Sequence, residues 1–114
     1  MKYEIYQVLI TELEVNLINA NGRDKAAEMS PVVNAYMLST LDRDYQKAWD
    51  TGEYTKVAVI DAEDLNDVFR IGNIGPEENI ERLERMHSVS VGDVIKDSDG
   101  NLVAVASCGF DSLK

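Results

Sequence analysis

The stretch from Asp64 to Phe110, DLNDVFRIGNIGPEENIERLERMHSVSVGDVIKDSDGNLVAVASCGF, constrains the fold most, because its turn residues divide it into short elements. The acidic start Asp61-Ala62-Glu63-Asp64 suits a helix N-terminus, and Leu65, Val68 and Phe69 form a helical stripe after it. Gly72, Gly75 and Pro76 break the chain. Pro76 with Glu77 and Glu78 signals a new helix start, and Ile80, Leu83 and Met86 at i, i+3 and i+6 predict a second helix with its apolar side inward. Ser88 to Ile95 predicts a strand with Val89, Val91 and Asp93 on one face and Gly92 as a bulge or point of close approach. Asp97-Ser98-Asp99-Gly100-Asn101 is a hairpin turn, Leu102 to Ala106 its return strand, and Gly109-Phe110 close the fold.

Tyr3 to Ile10 reads as a strand with both faces at least partly covered, and its edge and the hairpin edge are the expected places for a homodimer to pair. Leu13, Val15 and Leu17 alternate with Glu12, Glu14 and Asn16, which extends the strand pattern. Asn19 to Gly22 is turn chemistry, and Arg23 to Met29 looks helical. Ser30-Pro31 supplies an N-cap and a first helical residue for a helix over Val32 to Leu41, and Asp44 to Trp49 continues as a helix that ends near Gly52. Tyr54 to Ile60 is a strand whose apolar run, Val57 to Ile60, suits a central position. Together these elements predict one small α+β domain: a curved mixed or antiparallel sheet of about four or five strands with helices packed on one side. The strand Val57 to Ile60 and the hairpin Ser88 to Ala106 are expected at its centre. The expected core is Leu65, Phe69, Leu83, Val91, Val94, Val103, Val105 and Phe110.

With 114 residues the chain suits a single domain over residues 1–114. A net charge of −10, from 21 acidic against 11 basic residues, argues against direct nucleic-acid binding and against docking on an anionic membrane. It permits binding to a basic protein surface. One cysteine, Cys108, allows no intramolecular disulfide and no multi-thiolate zinc site, which fits a reducing cytoplasm. The charged N-terminus predicts no signal peptide, and no apolar run approaches membrane-span length.

Features with chemical potential are few. Asp97-x-Asp99-x-Asn101 starts like a calcium loop, but Leu102 and Cys108 stand where Gly and Glu belong, so it reads as a structural turn and no metal or cofactor is expected. Cys108 reads as a small buried thiol, and His87, placed at a helix end, as a cap or packing residue. Gly72-x-x-Gly75 follows a helix rather than a strand and reads as a helix-to-helix turn. Eight of the 21 carboxylates lie in two runs, Asp61, Glu63, Asp64 and Asp67, then Glu77, Glu78, Glu81 and Glu84. On the expected second helix Glu77, Glu81 and Glu84 share an outer face at i, i+4 and i+7. These runs read either as solvated faces or as a carboxylate array that meets a basic groove.

Asp64-Leu65-x-Asp67-Val68-Phe69-Arg70-Ile71-x-Asn73-Ile74, Met86-His87-Ser88-Val89-Ser90-Val91-Gly92-Asp93-Val94-Ile95, Asp99-Gly100 and Gly109-Phe110 together resemble the YodL-like domain. That domain occurs in small proteins of phages, plasmids and integrative elements of bacteria. Its LxDIFxxFN helix precedes an HSLSVSDVV strand, a DG turn and a closing strand ending in GF. Tyr6-Gln7 is similar to its YQL opening. The likeness covers about residues 54 to 112 and leaves 23 to 52 as a helical insertion; Gly72 stands where an aromatic is common and Gly92 where Ser is common. The family has no established activity and supplies no catalytic residues. The resemblance implies a mobile-element protein acting inside a bacterial cell.

Three functional readings follow. The first is a non-enzymatic protein that binds and modulates a host or defence protein through its acidic surface. The second, a nucleic-acid mimic, requires carboxylates spaced like phosphates. The third is a small-ligand binder or enzyme; it requires His87, Ser88, Asp93 and Cys108 to converge in a concave pocket. Asn73, His87 and Ser88 read as a polar network tying helix to hairpin, or as part of that ligand site.

Overall fold

The computed structural model describes all residues from Met1 to Lys114. The chain opens with β1 (Lys2–Gln7), followed by four helices, α1 (Glu12–Asn21), α2 (Arg23–Met29), α3 (Pro31–Thr40) and α4 (Tyr45–Asp50). Then come β2 (Thr55–Asp61), α5 (Leu65–Ile74), a single 3-10 turn at Glu77–Asn79, β3 (Ile80–Arg82), β4 (Val94–Lys96), β5 (Leu102–Val105) and β6 (Phe110–Ser112). The strands form one six-stranded antiparallel sheet in the order β3-β2-β1-β4-β5-β6. This is the expected single α+β domain, with more strands than expected. No helix is long and apolar enough to cross a membrane.

The helix starts follow from side-chain chemistry. Ser30 Oγ accepts from the Val33 N–H at 3.3 Å with Pro31 in the first helical position, and Asp44 and Asp64 cap α4 and α5 by accepting from Lys47 and Asp67 N–H groups. Arg43, at φ 55°, breaks α3 from α4.

Alternation along β1 sends Tyr3, Ile5 and Gln7 to one face. There Tyr3 opposes Ile60, and Ile5 opposes Ala58 on one side and Ile95 on the other. Val68 and Ile71 of α5, with Val89, cover this face and complete the main core cluster. On the opposite face the rings of Tyr6 and Trp49 of α4 stand at 86° with centroids 5.3 Å apart, and the Trp49 and Tyr54 ring centroids are also 5.3 Å apart. A bulge leaves Val57 unpaired with β1; its carbonyl accepts from Leu83 and Glu84 N–H groups instead.

Several expectations are corrected. Residues 13–17 do not continue the strand: α1 covers them, and the partly covered positions Glu14, Leu17, Ile18 and Asn21 fall at helical spacing. The signal was Thr11-x-x-Glu14, a capping-box sequence whose two side chains are hydrogen-bonded here. Gly72 is no turn but lies inside α5, which runs on to Ile74. The helix expected over residues 77 to 86 is absent. Ile80, Glu81 and Arg82 instead pair with Ile60, Val59 and Ala58, because the outer edge of the buried strand β2 needs partners for its backbone groups. Most of Ser88 to Ile95 is loop, with only Val94 and Ile95 of it in the ladder. The sheet centre is the β1–β4 pair, not the hairpin, so β1 has no free edge; the edges are the three-residue strands β3 and β6. In the core, Val94 and Val105 are buried and Leu65, Val91, Val103 and Phe110 are half-buried. Phe69 and Leu83 are exposed, since α5 turns Val68 and Ile71 inward and Leu83 has no helix to aim it.

Candidate functional site

After β3 the chain runs as a loop beside the C-terminal end of β1, and Gln7 holds it there. This fully buried side chain donates to the His87 carbonyl at 2.9 Å and to Asp93 Oδ2 at 3.0 Å, while its Oε1 accepts from the His87 N–H at 3.2 Å. It thereby extends the β1 ladder by a side chain. Asp93 Oδ2 also accepts from the Ser90 N–H at 2.9 Å, and the Ser90 carbonyl accepts from the Asp93 N–H at 3.1 Å, closing a tight turn. Gly92 in that turn has φ 95°, and a Cβ there would lie 3.0 Å from the Ser39 carbonyl oxygen, so α3 abuts the turn. Tyr54 Oη donates to the Gly92 carbonyl at 2.6 Å.

Asp93 is only 4 % exposed. Burial pushes its carboxyl up to about 7, against the opposing pull of the Ser90 N–H, the His87 ring and the Gln7 amide. His87 Nδ1 lies 4.0 Å from Asp93 Oδ2 and 2.8 Å from the Ser88 carbonyl oxygen. A carbonyl only accepts, so this partner assigns the hydrogen to Nδ1 and leaves Nε2 as an acceptor in the neutral ring. These groups line an open cleft of about 690 Å³ between the loop 85–93, the segment Val8 to Ile10, and Tyr36, Ser39 and Thr40 of α3.

Ser88 shares the cleft with His87 and Asp93. Asn73 does not face it: Asn73 Nδ2 donates to the Phe69 and Val89 carbonyls at 2.7 and 2.9 Å and ties α5 to the loop. His87 sits in a loop, not at a helix end. Cys108 is exposed rather than buried, in the β5–β6 connection, and does not line the cleft. Asp97 holds its turn by accepting from Asp99 and Asn101 N–H groups, both at 2.9 Å. No group of three or more His, Cys, Asp or Glu side chains is placed to hold a metal ion. Gln7 was missed; its signal was a polar residue on the inward phase of a strand.

The helical ladder of Glu77, Glu81 and Glu84 does not exist, because those residues lie on a 3-10 turn, a strand and a loop. The two acidic runs nevertheless meet at one sheet edge. β3 pairs with the end of β2, and Asn79 Nδ2 donates to the Asp61 carbonyl at 3.0 Å, so the second run lies where the first begins. Three carboxylates have cations: Asp61 pairs with the N-terminal amine and Lys2, Asp67 with Arg70, and Glu77 with Arg82. Hydrogen bonds to these carboxylates, from the N-terminal amine, the Glu63 N–H and Arg82 respectively, hold all three below the usual range. Glu63, Asp64, Glu78, Glu81 and Glu84 are exposed and have no ion-pair partner.

No protein-family model, no curated protein and no solved structure matches this chain.

Proposed function

We propose that this is a non-enzymatic protein of the YodL-like type, carried by a phage or other mobile element, that binds and modulates a host or defence protein in the bacterial cytoplasm. The contact surface in this reading is the acidic sheet edge made by Asp61, Glu63, Asp64, Asp67, Glu77, Glu78, Glu81 and Glu84. The observation that carries it is the meeting of the two acidic runs at β2–β3, with five carboxylates lacking a cation. A partner with a basic surface supplies the missing cations and gains in rate and selectivity from the field. Nucleic-acid mimicry is the narrower form of the same idea, and would make the partner a DNA-binding protein.

The test is capture from host lysate followed by titration of the purified partner at low and high salt. The comparison variant carries Glu78, Glu81 and Glu84 changed to Gln, three residues outside any ion pair. The expected outcome is one partner whose affinity falls roughly tenfold or more in the variant and weakens with salt. A partner that ignores both changes sinks the acidic edge as the contact surface.

A further inference from the structure

The cleft beside Asp93 is independent of the acidic edge. Asp93 Oδ2 is occupied by the Gln7 amide and the Ser90 N–H, yet Oδ1 receives no hydrogen bond. No fully buried side-chain nitrogen or oxygen in the protein lacks a partner, so Oδ1 is not sealed in the interior, and Asp93 is one of the residues that line the cleft. No lysine or arginine pairs with this carboxylate; His87 Nδ1 stands 4.0 Å away, and Arg85 also lines the cleft. A carboxylate that is 4 % exposed and half-partnered is costly for the fold to keep ionised. The neighbouring acceptor His87 Nε2 and the hydroxyls of Ser88 and Ser90 also have no protein partner, while Leu9, Ile10 and Met86 supply apolar wall. This lining sets hydrogen-bond acceptors beside apolar wall, as an amphipathic ligand requires.

We propose that this cleft binds a small organic ammonium ion with an apolar stem, its charged nitrogen on Asp93 Oδ1 and its stem along Leu9, Ile10 and Met86. A carboxylate or phosphate ligand would meet like charge at Asp93 itself, whatever Arg85 at the cleft wall offers it. A neutral alcohol would fill the hydrogen bond without neutralising Asp93. The same chemistry is offered by a free alkylamine and by the side chain of a lysine in a peptide.

The test is a titration of the isotope-labelled protein, followed by amide NMR shifts, with n-hexylamine, 1-hexanol, hexanoate and Nα-acetyl-lysine N-methylamide. Hexylamine is expected to shift the amides of Ser88 to Asp93 and the Gln7 side chain saturably, at least about tenfold more tightly than hexanol or hexanoate. Equal binding of the lysine derivative identifies a lysine side chain as the occupant; binding of hexylamine alone identifies a free amine. D93N is expected to lose about tenfold or more in amine affinity while its core amide shifts stay in place. Wild-type protein supplies a second readout independent of that variant: saturating amine lowers the titration midpoint of the Asp93 carboxyl carbon by about one unit or more. Hexanol binding as tightly as hexylamine, no saturable shift at these amides, or an unmoved Asp93 midpoint overturns the proposal.

Discussion

Two residues show how single side chains set the site. Gly72 lies where α5 crosses the loop, and a Cβ there would stand 2.3 Å from Val89 Cγ2. That contact gives a physical reason for glycine here: Val89 already fills the space. Asp93 makes stability depend on pH. Its carboxyl titrates near 3.8 when unfolded and at about 7 in the fold, so the folded state holds the proton through that interval. Its stabilising contribution is therefore complete below about pH 4, is lost as pH rises toward about 7, and stays lost above. Glu4 and Asp97, held below the usual range chiefly by Tyr6 and by the Asn101 N–H, act with the opposite sign and lose stability on acidification. Urea unfolding of wild type and D93N across this range isolates the Asp93 term. Wild type is expected to lose on the order of a few kcal/mol more than D93N between pH 4 and 7. Parallel curves would show that Asp93 titrates alike in both states.

Among the elements, α1 stands apart. It buries no side chain, and Leu13 is 77 % exposed. A ten-residue helix is marginal on its own in water, and the Thr11 hydroxyl caps no backbone N–H, so α1 depends on leaning against α2. Replacing Asn16, exposed in mid-helix, with proline is expected to remove the helical circular dichroism of this segment. Global stability should fall by less than about 1 kcal/mol, because no packed side chain is lost. A collapse of the urea midpoint would mean that α1 is integral to the core. The strand β3 is the converse case: Ile80-Glu81-Arg82 has only three residues and a helical sequence context, yet it is held by pairing to β2 and by the Glu77–Arg82 ion pair. Its shortness blunts an edge that would otherwise invite pairing with a second chain, as does that of β6.

In the whole molecule β1 is the keystone, since it separates β2 from β4 in the sheet. A fragment of residues 54–112 would lack β1, the strand that joins its own halves. It is expected to remain unfolded by amide NMR, and to fold only when a peptide of residues 1–10 is added; cooperative unfolding of the fragment alone would overturn this. Local chemistry was readable without the fold. The caps Ser30, Asp44 and Asp64 need only their own helix's N–H groups, the Asp97 turn closes within five residues, and the apolar run Val57 to Ile60, buried at Val57, Ala58 and Ile60, must be covered wherever it lies. The single α+β domain follows from those pieces. Tertiary structure alone decided the rest, because it turns on partners far apart in the chain. The segment after Pro76 is helical by local pattern, but the open edge of β2 makes Ile80 to Arg82 a strand and dissolves the glutamate ladder. The site depends on a contact between Gln7 and Asp93, 86 residues apart, which no local pattern encodes. Burial at that contact turns an ordinary surface-type carboxyl into a half-partnered acid facing the cleft.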